Sequence, residues 1–430
     1  MYVLDLPGCT ALMSTRSSSV FREQGEISPL IIGGTRIMPW GADNLMPYDI
    51  LEKIEADETM STCMEFNSEV CYGAGLTYHT DKCTPPVAKS VEDFFDSNAM
   101  PRHFMGACHD FKYFGFAVTM IILSKDYKKV VGIRRKPAIY CRFGEATAAG
   151  RIRKVYFANW RLPGLDESRI ESIDVLDEDC PLADLRKRLQ KGNAPHKFAI
   201  VSRIPTVDST YYPIPYYAAL FRGKWYDIKQ LIGIAKESKL RNSAPLKYHI
   251  QVERSYWEKL YEMEGITDYE AQRKRAEEQR KVFIDYLTGA ENSGKVLFSE
   301  FTYDMDGKQR EDIKFTRLDT SVQGGDWSTD IQEAVNMICF VLRVHPNLLG
   351  AVPGKTQTNN SGSDKRELYT IAQILQKPAR DILFQAHWLT IKFNGWTGAV
   401  PCCPIMQLTT LDEHRDVKST DISTKPDSHE

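Results

Sequence analysis

The chain has 430 residues, 42% apolar and 26% charged, with 55 Lys plus Arg against 57 Asp plus Glu and a formal charge of -2. That length predicts two or more structural units, and near-neutrality excludes a chain whose whole surface grips nucleic acid through phosphate contacts. The longest apolar run, residues 114–123, is about half the roughly 20 residues of a membrane span, and MYVLDLPG lacks the basic start of a signal peptide, so no membrane partner is expected.

Residues 1–39, weakly periodic with Ser, Gly and Arg, read as an extended arm. From Pro47, Ile50, Ile54, Met60, Met64 and Val70 fall near helical spacing, and Gly73-Ala74-Gly75 stops that helix. Runs at 117–123, 130–134, 139–143 and 155–160, parted by turn signals, predict an antiparallel sheet. Residues 182–189 have a charged helical pattern, and 198–204 return to strand. Between 216 and 243 there is no proline, and Phe221, Trp225, Ile228, Ile232 and Ala235 recur at steps of four and three. That is an apolar seam on a helix about 39 Å long, with Leu220, Leu231 and Leu240 beside it.

Residues 244–325 read as a mixed insert: a strand at 246–252, a charged helix at 269–287, and strands at 295–303 and 312–318 across Asp306-Gly307. Asp-Gly between strands is a hairpin signal, and the closing Glu of a calcium loop is missing. A second helix puts Ile331, Val335, Ile338, Cys339 and Leu342 on one face and ends at His345-Pro346. A polar loop, AVPGKTQTNNSGSD, leads to a last long helix at about 364–393 with Pro378 in its middle, expected to kink it. Residues 412–430 are polar and predicted to pack poorly. The fold class is α+β.

No chemistry emerges from the reactive residue types. The ten cysteines include no Cys-x-x-Cys pair, so no metal site is expected. GAVPGKT at 350–356 resembles a phosphate-binding loop, but it has three residues where that loop has four, and a helix precedes it where a strand is required. With no HExxH or GxSxG either, no catalytic residue or cofactor is singled out. An ATPase built on that loop stays a rival reading.

The order of elements carries a resemblance. YYPIPYYAALFRGKWYDIKQLIGIAKESKLRNSAP, the insert, DIQEAVNMICFVLRVHPNLLG, a loop with NNSGSDKRELY and a helix around QKPARDIL follow one another in residues 211–383. This succession is similar to that of tailed-bacteriophage portal proteins (head-to-tail connectors), over about residues 100–395. The resemblance implies a wing at 40–215 and a first stem helix at 216–243. It implies a clip at 244–325, a second stem helix at 326–345, a tunnel loop at 346–363 and a kinked helix at 364–394. A C-terminal strand and polar tail at 395–430 would leave the crown short or absent. It further implies a ring of twelve copies at a capsid vertex of the virion, assembled in the host bacterial cytoplasm. Its partners would be double-stranded DNA, the terminase large subunit, a head-tail adaptor and the major capsid protein. The rival ATPase would then be a packaging ATPase, and the third reading is a neck or capsid structural protein without a DNA path.

On that reading Lys355, Thr356, Gln357, Asn359 and Asn360 face DNA, with Lys365 and Arg366 at the base of the loop. Phe221, Trp225, Ile228 and Ile232 form the subunit interface, with Leu220, Leu231 and Leu240 beside them for contact between copies, and Pro378 the kink. Residues 244–325 hold 13 Lys plus Arg against 16 Asp plus Glu, which suits contact with proteins better than a grip on DNA.

Overall fold

The structure, a computed structural model, describes residues 2–6, 9–13, 28–147, 150–205, 211–242, 248–288, 302–303, 309–310, 313–317, 327–349 and 362–406. The chain divides into residues 1–230 with 329–430, and residues 231–328.

The first unit opens with two hairpins, β1 (Tyr2–Leu6) with β2 (Cys9–Met13) and β3 (Leu30–Ile32) with β4 (Thr35–Ile37). Gly33 and Gly34 both take positive φ to turn the second. Ile37 is fully buried and the Met38 N–H donates to the Phe143 carbonyl at 2.8 Å. The expected arm to residue 39 is therefore shortened: from Leu30 the chain belongs to the fold.

The helix expected from Pro47 onward is two helices, α1 (Met46–Glu55) and α2 (Glu58–Tyr72). Asp57 divides them in an extended conformation, its carboxylate accepting the Met60 N–H at 2.8 Å. After β5 (Thr77–His79) come α3 (Pro85–Ser97) and α4 (Met100–Phe114), helices that the apolar periodicity had not singled out.

Six strands then build the central sheet: β6 (Phe116–Leu123), β7 (Val130–Lys136), β8 (Cys141–Phe143), β9 (Lys154–Phe157), β10 (Glu171–Val175) and, after α5 (Pro181–Gln190), β11 (Lys197–Arg203). Their order is β7-β6-β11-β10-β9-β8. The antiparallel expectation needs one correction: β10 and β11 run parallel. A parallel neighbour requires a crossover, and the charged helix α5 is that crossover. Along β6, Phe116, Val118 and Met120 enter one core while Ala117, Ile121 and Leu123 enter the other. Burial of both faces explains why the 114–123 run is continuously apolar.

The helix expected over 216–243 is broken. α6 (Ala218–Arg222) ends at Gly223, which is extended at ψ -175°, and α7 (Trp225–Asn242) starts anew. At ~1.5 Å per residue α7 is about 27 Å long.

In the second unit β12 (Tyr248–Val252) pairs antiparallel with β15 (Ile313–Arg317), and β13 (Thr302–Tyr303) with β14 (Gln309–Arg310) across the Asp-Gly segment. α8 (Arg254–Met263) and α9 (Tyr269–Thr288) fill the interval; α8 was not foreseen.

The chain continues with α10 (Ser328–Leu342), α11 (Pro346–Leu349), α12 (Gly362–Ile374), α13 (Lys377–Leu383), α14 (Gln385–Asn394) and β16 (Val400–Cys402), which pairs with β5. The single kinked helix expected over 364–393 is thus three helices, with Pro378 in the first turn of α13, where its missing N–H needs no partner. α1, α2 and α10 cover one sheet face, and α3, α4, α13 and α14 the other.

Candidate ring interface and channel elements

The approach to α7 is anchored by tyrosines with satisfied hydroxyls. The Tyr212 ring stacks on Trp40 at 4.7 Å and on Phe143 at 4.9 Å. Its hydroxyl accepts from the Phe143 N–H at 2.9 Å and donates to the Met38 carbonyl at 2.7 Å, and burial pushes its pKa well above the phenol range. The Tyr217 hydroxyl donates to the Tyr113 carbonyl. Asn67 Nδ2 donates to the Tyr216 hydroxyl at 3.1 Å and to the Leu342 carbonyl at 2.9 Å, tying α2 to the end of α10. Large rings fix the position, and each polar end selects the register.

The first turns of α7 are clamped to the α1–α2 corner. Lys229 Nζ lies 2.7 Å from Asp57 and 3.1 Å from Glu58, and Gln230 donates to Asp57 at 3.0 Å. Asp57 is fully buried, so one carboxylate caps α2 and holds α7 together. A backbone hydrogen bond, then Lys229, lowers the Glu58 pKa. The Tyr226 hydroxyl donates to the Lys53 carbonyl at 2.9 Å, using a free carbonyl in the last turn of α1.

The four seam residues do not share one environment. Phe221 packs half-buried against the core of α1 and α2, Trp225 and Ile228 are half-buried, and Ile232 is buried. Leu220, expected beside the seam for contact between copies, lies instead in that core at 3% exposure. Leu231 and Ile234 are exposed at 62% and 59%. α10 buries Ala334, Val335, Ile338, Cys339 and Leu342, while Phe340 is 76% exposed. On and just after α12, Ile371, Ile374 and Leu375 are exposed too.

Lys355, Thr356, Gln357, Asn359 and Asn360 lie outside the described residues, as does the GAVPGKT segment. Lys365 is exposed and Arg366 half-exposed in the first turns of α12.

Two anchoring residues went unnoticed in the sequence. Arg380, 6% exposed, donates to the Cys71 carbonyl at 2.9 Å and the Val70 carbonyl at 2.8 Å, closing the end of α2 against α13. A Cβ on Gly73 would come within 2.5 Å of its guanidinium, so the Gly73 break and the Arg380 of QKPARDIL describe one contact. Gln373 Nε2 donates to the Met406 carbonyl at 2.8 Å, and its Oε1 accepts the Met406 N–H at 3.1 Å, holding the segment after β16 as a strand neighbour would. Among the described residues no three His, Cys, Asp or Glu side chains converge as metal ligands, and no helix is long and apolar enough to cross a membrane.

No protein-family description matches the sequence, and no curated protein does. Solved structures do share its fold. A chain of the virion of a native gene transfer agent particle aligns with a TM-score of 0.56 and 12% identity, covering 85% of this chain and 85% of that one. A chain of the neck of the native particle, computed with C12 symmetry, gives 0.56 and 12% over 86% and 87%. One from the neck of the empty particle, computed with C6 symmetry, gives 0.56 and 14% over 86% and 86%. At such identities the likeness is one of fold: this chain has the α+β fold of chains found in the virion and neck of gene transfer agent particles.

Proposed function

We propose that this chain is a structural protein of a tailed-phage-type particle, and within it the portal subunit: a ring of twelve copies through which double-stranded DNA enters and leaves the head. The observation that carries this reading is the likeness in fold, over 86% of this chain, to a chain of a particle neck computed with C12 symmetry. The apolar side chains left exposed on α7, α10 and α12 agree with it, because rings closed by heterologous contacts bury such surface twice in each copy. In this reading residues 40–215 with 364–394 form the wing, α7 and α10 the stem, 244–325 the clip and 346–363 the tunnel loop. The terminase motor and then the head-tail adaptor dock on the clip, and the ring sits at a vertex of the major capsid protein. Hydrolysis of nucleotide is left to the motor.

Near-neutral charge supports a conduit over a binder, since each cation–phosphate contact adds affinity that slows passage. Lys355, repeated around the ring, makes a belt that touches phosphates without reading bases.

Electron microscopy of the purified protein tests the reading. A ring with a central hole about 20 to 40 Å wide, enough for a hydrated duplex, is expected; a solid or monomeric particle would refute the portal, and a solid one would favour a structural protein without a DNA path. Lys355→Glu is expected to leave the ring intact and impair DNA retention, with an effect that shrinks as salt rises. Normal retention at every salt concentration would remove Lys355 from the DNA path.

A further inference from the structure

β5 and β16 form a two-stranded ladder in which Thr77 opposes Cys402, Tyr78 opposes Pro401 and His79 opposes Val400. Opposed residues in an antiparallel pair alternate between exchanging backbone hydrogen bonds and not exchanging them. Pro401 has no N–H, so Tyr78–Pro401 is the non-bonded pair, and the Tyr78 backbone N–H and C=O point away from β16. A groove of about 700 Å³ is lined by Thr77, Tyr78 and Thr80 on one wall and by α3 on the other, with no residue of β16 among its lining. Its floor is apolar: Val91 is buried, and Phe95 meets the Tyr78 ring edge-on at 5.9 Å.

The α3 wall is acidic. Glu92, Asp93 and Asp96 line the groove against the single cation Lys89, and all three carboxylates are exposed. They occupy the later turns of α3, which has no basic residue in its last turn. Carboxylates near the C-terminus of a helix oppose its dipole, so local stability does not account for them. An edge whose central donor and acceptor face away from β16, an apolar floor and a negative wall are together what an extended, positively charged strand requires.

We propose that this groove receives an extended Lys- or Arg-bearing segment of another protein, which adds to β5 as a third strand. Alternate side chains of that segment would rest on Tyr78 and Phe95, and those between would reach Glu92, Asp93 and Asp96. Charge argues for a foreign segment over this chain's own ends. Residues 407–430 hold three Lys plus Arg against six Asp plus Glu, and residues 14–27 two of each. The groove is complete within one copy, so the inference stands apart from the ring.

The test uses the full-length protein and a short fluorescent peptide of alternating Lys and Val, read by anisotropy. An alternating Glu-Val peptide and a Lys-Val peptide methylated on alternate backbone nitrogens serve as controls. The Lys-Val peptide is expected to bind, the Glu-Val peptide to fail, and backbone methylation to weaken binding about tenfold by removing strand hydrogen bonds. The combined variant Glu92→Gln, Asp93→Asn, Asp96→Asn is expected to weaken it about tenfold, with no loss of thermal stability. Equal binding of the methylated peptide, or undiminished affinity of the variant, would overturn the proposal. So would binding to separated subunits but not to the assembled protein, which would make a second copy the occupant.

Discussion

The two units are built on different terms. In the first, the sheet buries both faces, and Trp40, Phe104, Phe116, Phe143 and Phe198 are all 2% exposed or less. In the second, α8 buries no residue, and Ala276 is the one buried side chain among those described on α9. Met263 and Tyr269 stand 87% and 78% exposed. What joins α8 to α9 is polar: Arg275 makes two hydrogen bonds to Glu264, at 2.7 and 2.8 Å, and Arg280 lies over the Trp257 ring. The first unit meets the entropy of folding with its own core, whereas the second leaves apolar side chains for other surfaces to cover. Stability should therefore reside in one unit and sensitivity to assembly in the other.

The comparison breaks first at the core. Trp40→Ala should cost about 4 kcal/mol in urea unfolding, because it empties the stack on Tyr212 and the packing on Phe114 and Phe116. A loss as small as that of an exposed residue would mean the two units do not differ in this way. Asp57→Ala should cost about 3 kcal/mol, since the cap of α2 disappears and Lys229, 12% exposed, is left without its buried partner. Lys229→Met in the same background should recover part of that loss; no recovery would separate the cap from the clamp.

Acid should act on the first unit as well. His103 is buried beside His387, whose Nδ1 lies 2.7 Å from the Tyr78 hydroxyl. Burial, then the charges of Arg134 and Arg135, lowers the His103 pKa from 6.5 to about 4, and burial holds His387 well below 6.5 as well. Between pH 6.5 and 4 the unfolded chain takes up protons that the folded chain refuses, so stability falls as pH falls through that window and is unaffected above it. His103 alone contributes a loss of about 3 kcal/mol by pH 4. His103→Asn should flatten the slope of unfolding midpoint against pH; an unchanged slope would place the acid sensitivity elsewhere. The smallest effect belongs to the second unit. Arg275→Ala should leave the melting temperature unchanged within error, because the pair lies at the surface, with side chains 28% and 34% accessible to solvent. A clear drop would show that this unit depends on its surface ion pairs.

Periodicity exposed much of this architecture. Five of the six strands of the central sheet, the helix α5 and the apolar face of α10 were legible because alternation by two and by 3.6 reflects which side chains meet a core, whereas β10 was not singled out. The breaks were less legible. Gly223 reads as a tolerable residue inside a helix, yet the chain is extended there so that Tyr217 and Tyr226 reach separate carbonyls. The division at Asp57 was written in the sequence as a residue type that favours helix N-caps. Its second duty, receiving Lys229 from 172 positions away, was not.

By itself, then, the sequence determined the α+β class, most strands of the central sheet and the apolar face of α10, because these follow from local spacing and composition. Only the tertiary structure decided that β10 and β11 run parallel, that Leu220 lies in a core while Leu231 and Ile234 do not, and that Arg380 and Gln373 hold elements far from them in sequence. Each of those depends on which distant segment lies opposite, and a backbone carbonyl or a neighbouring strand leaves no mark on the residue that finds it.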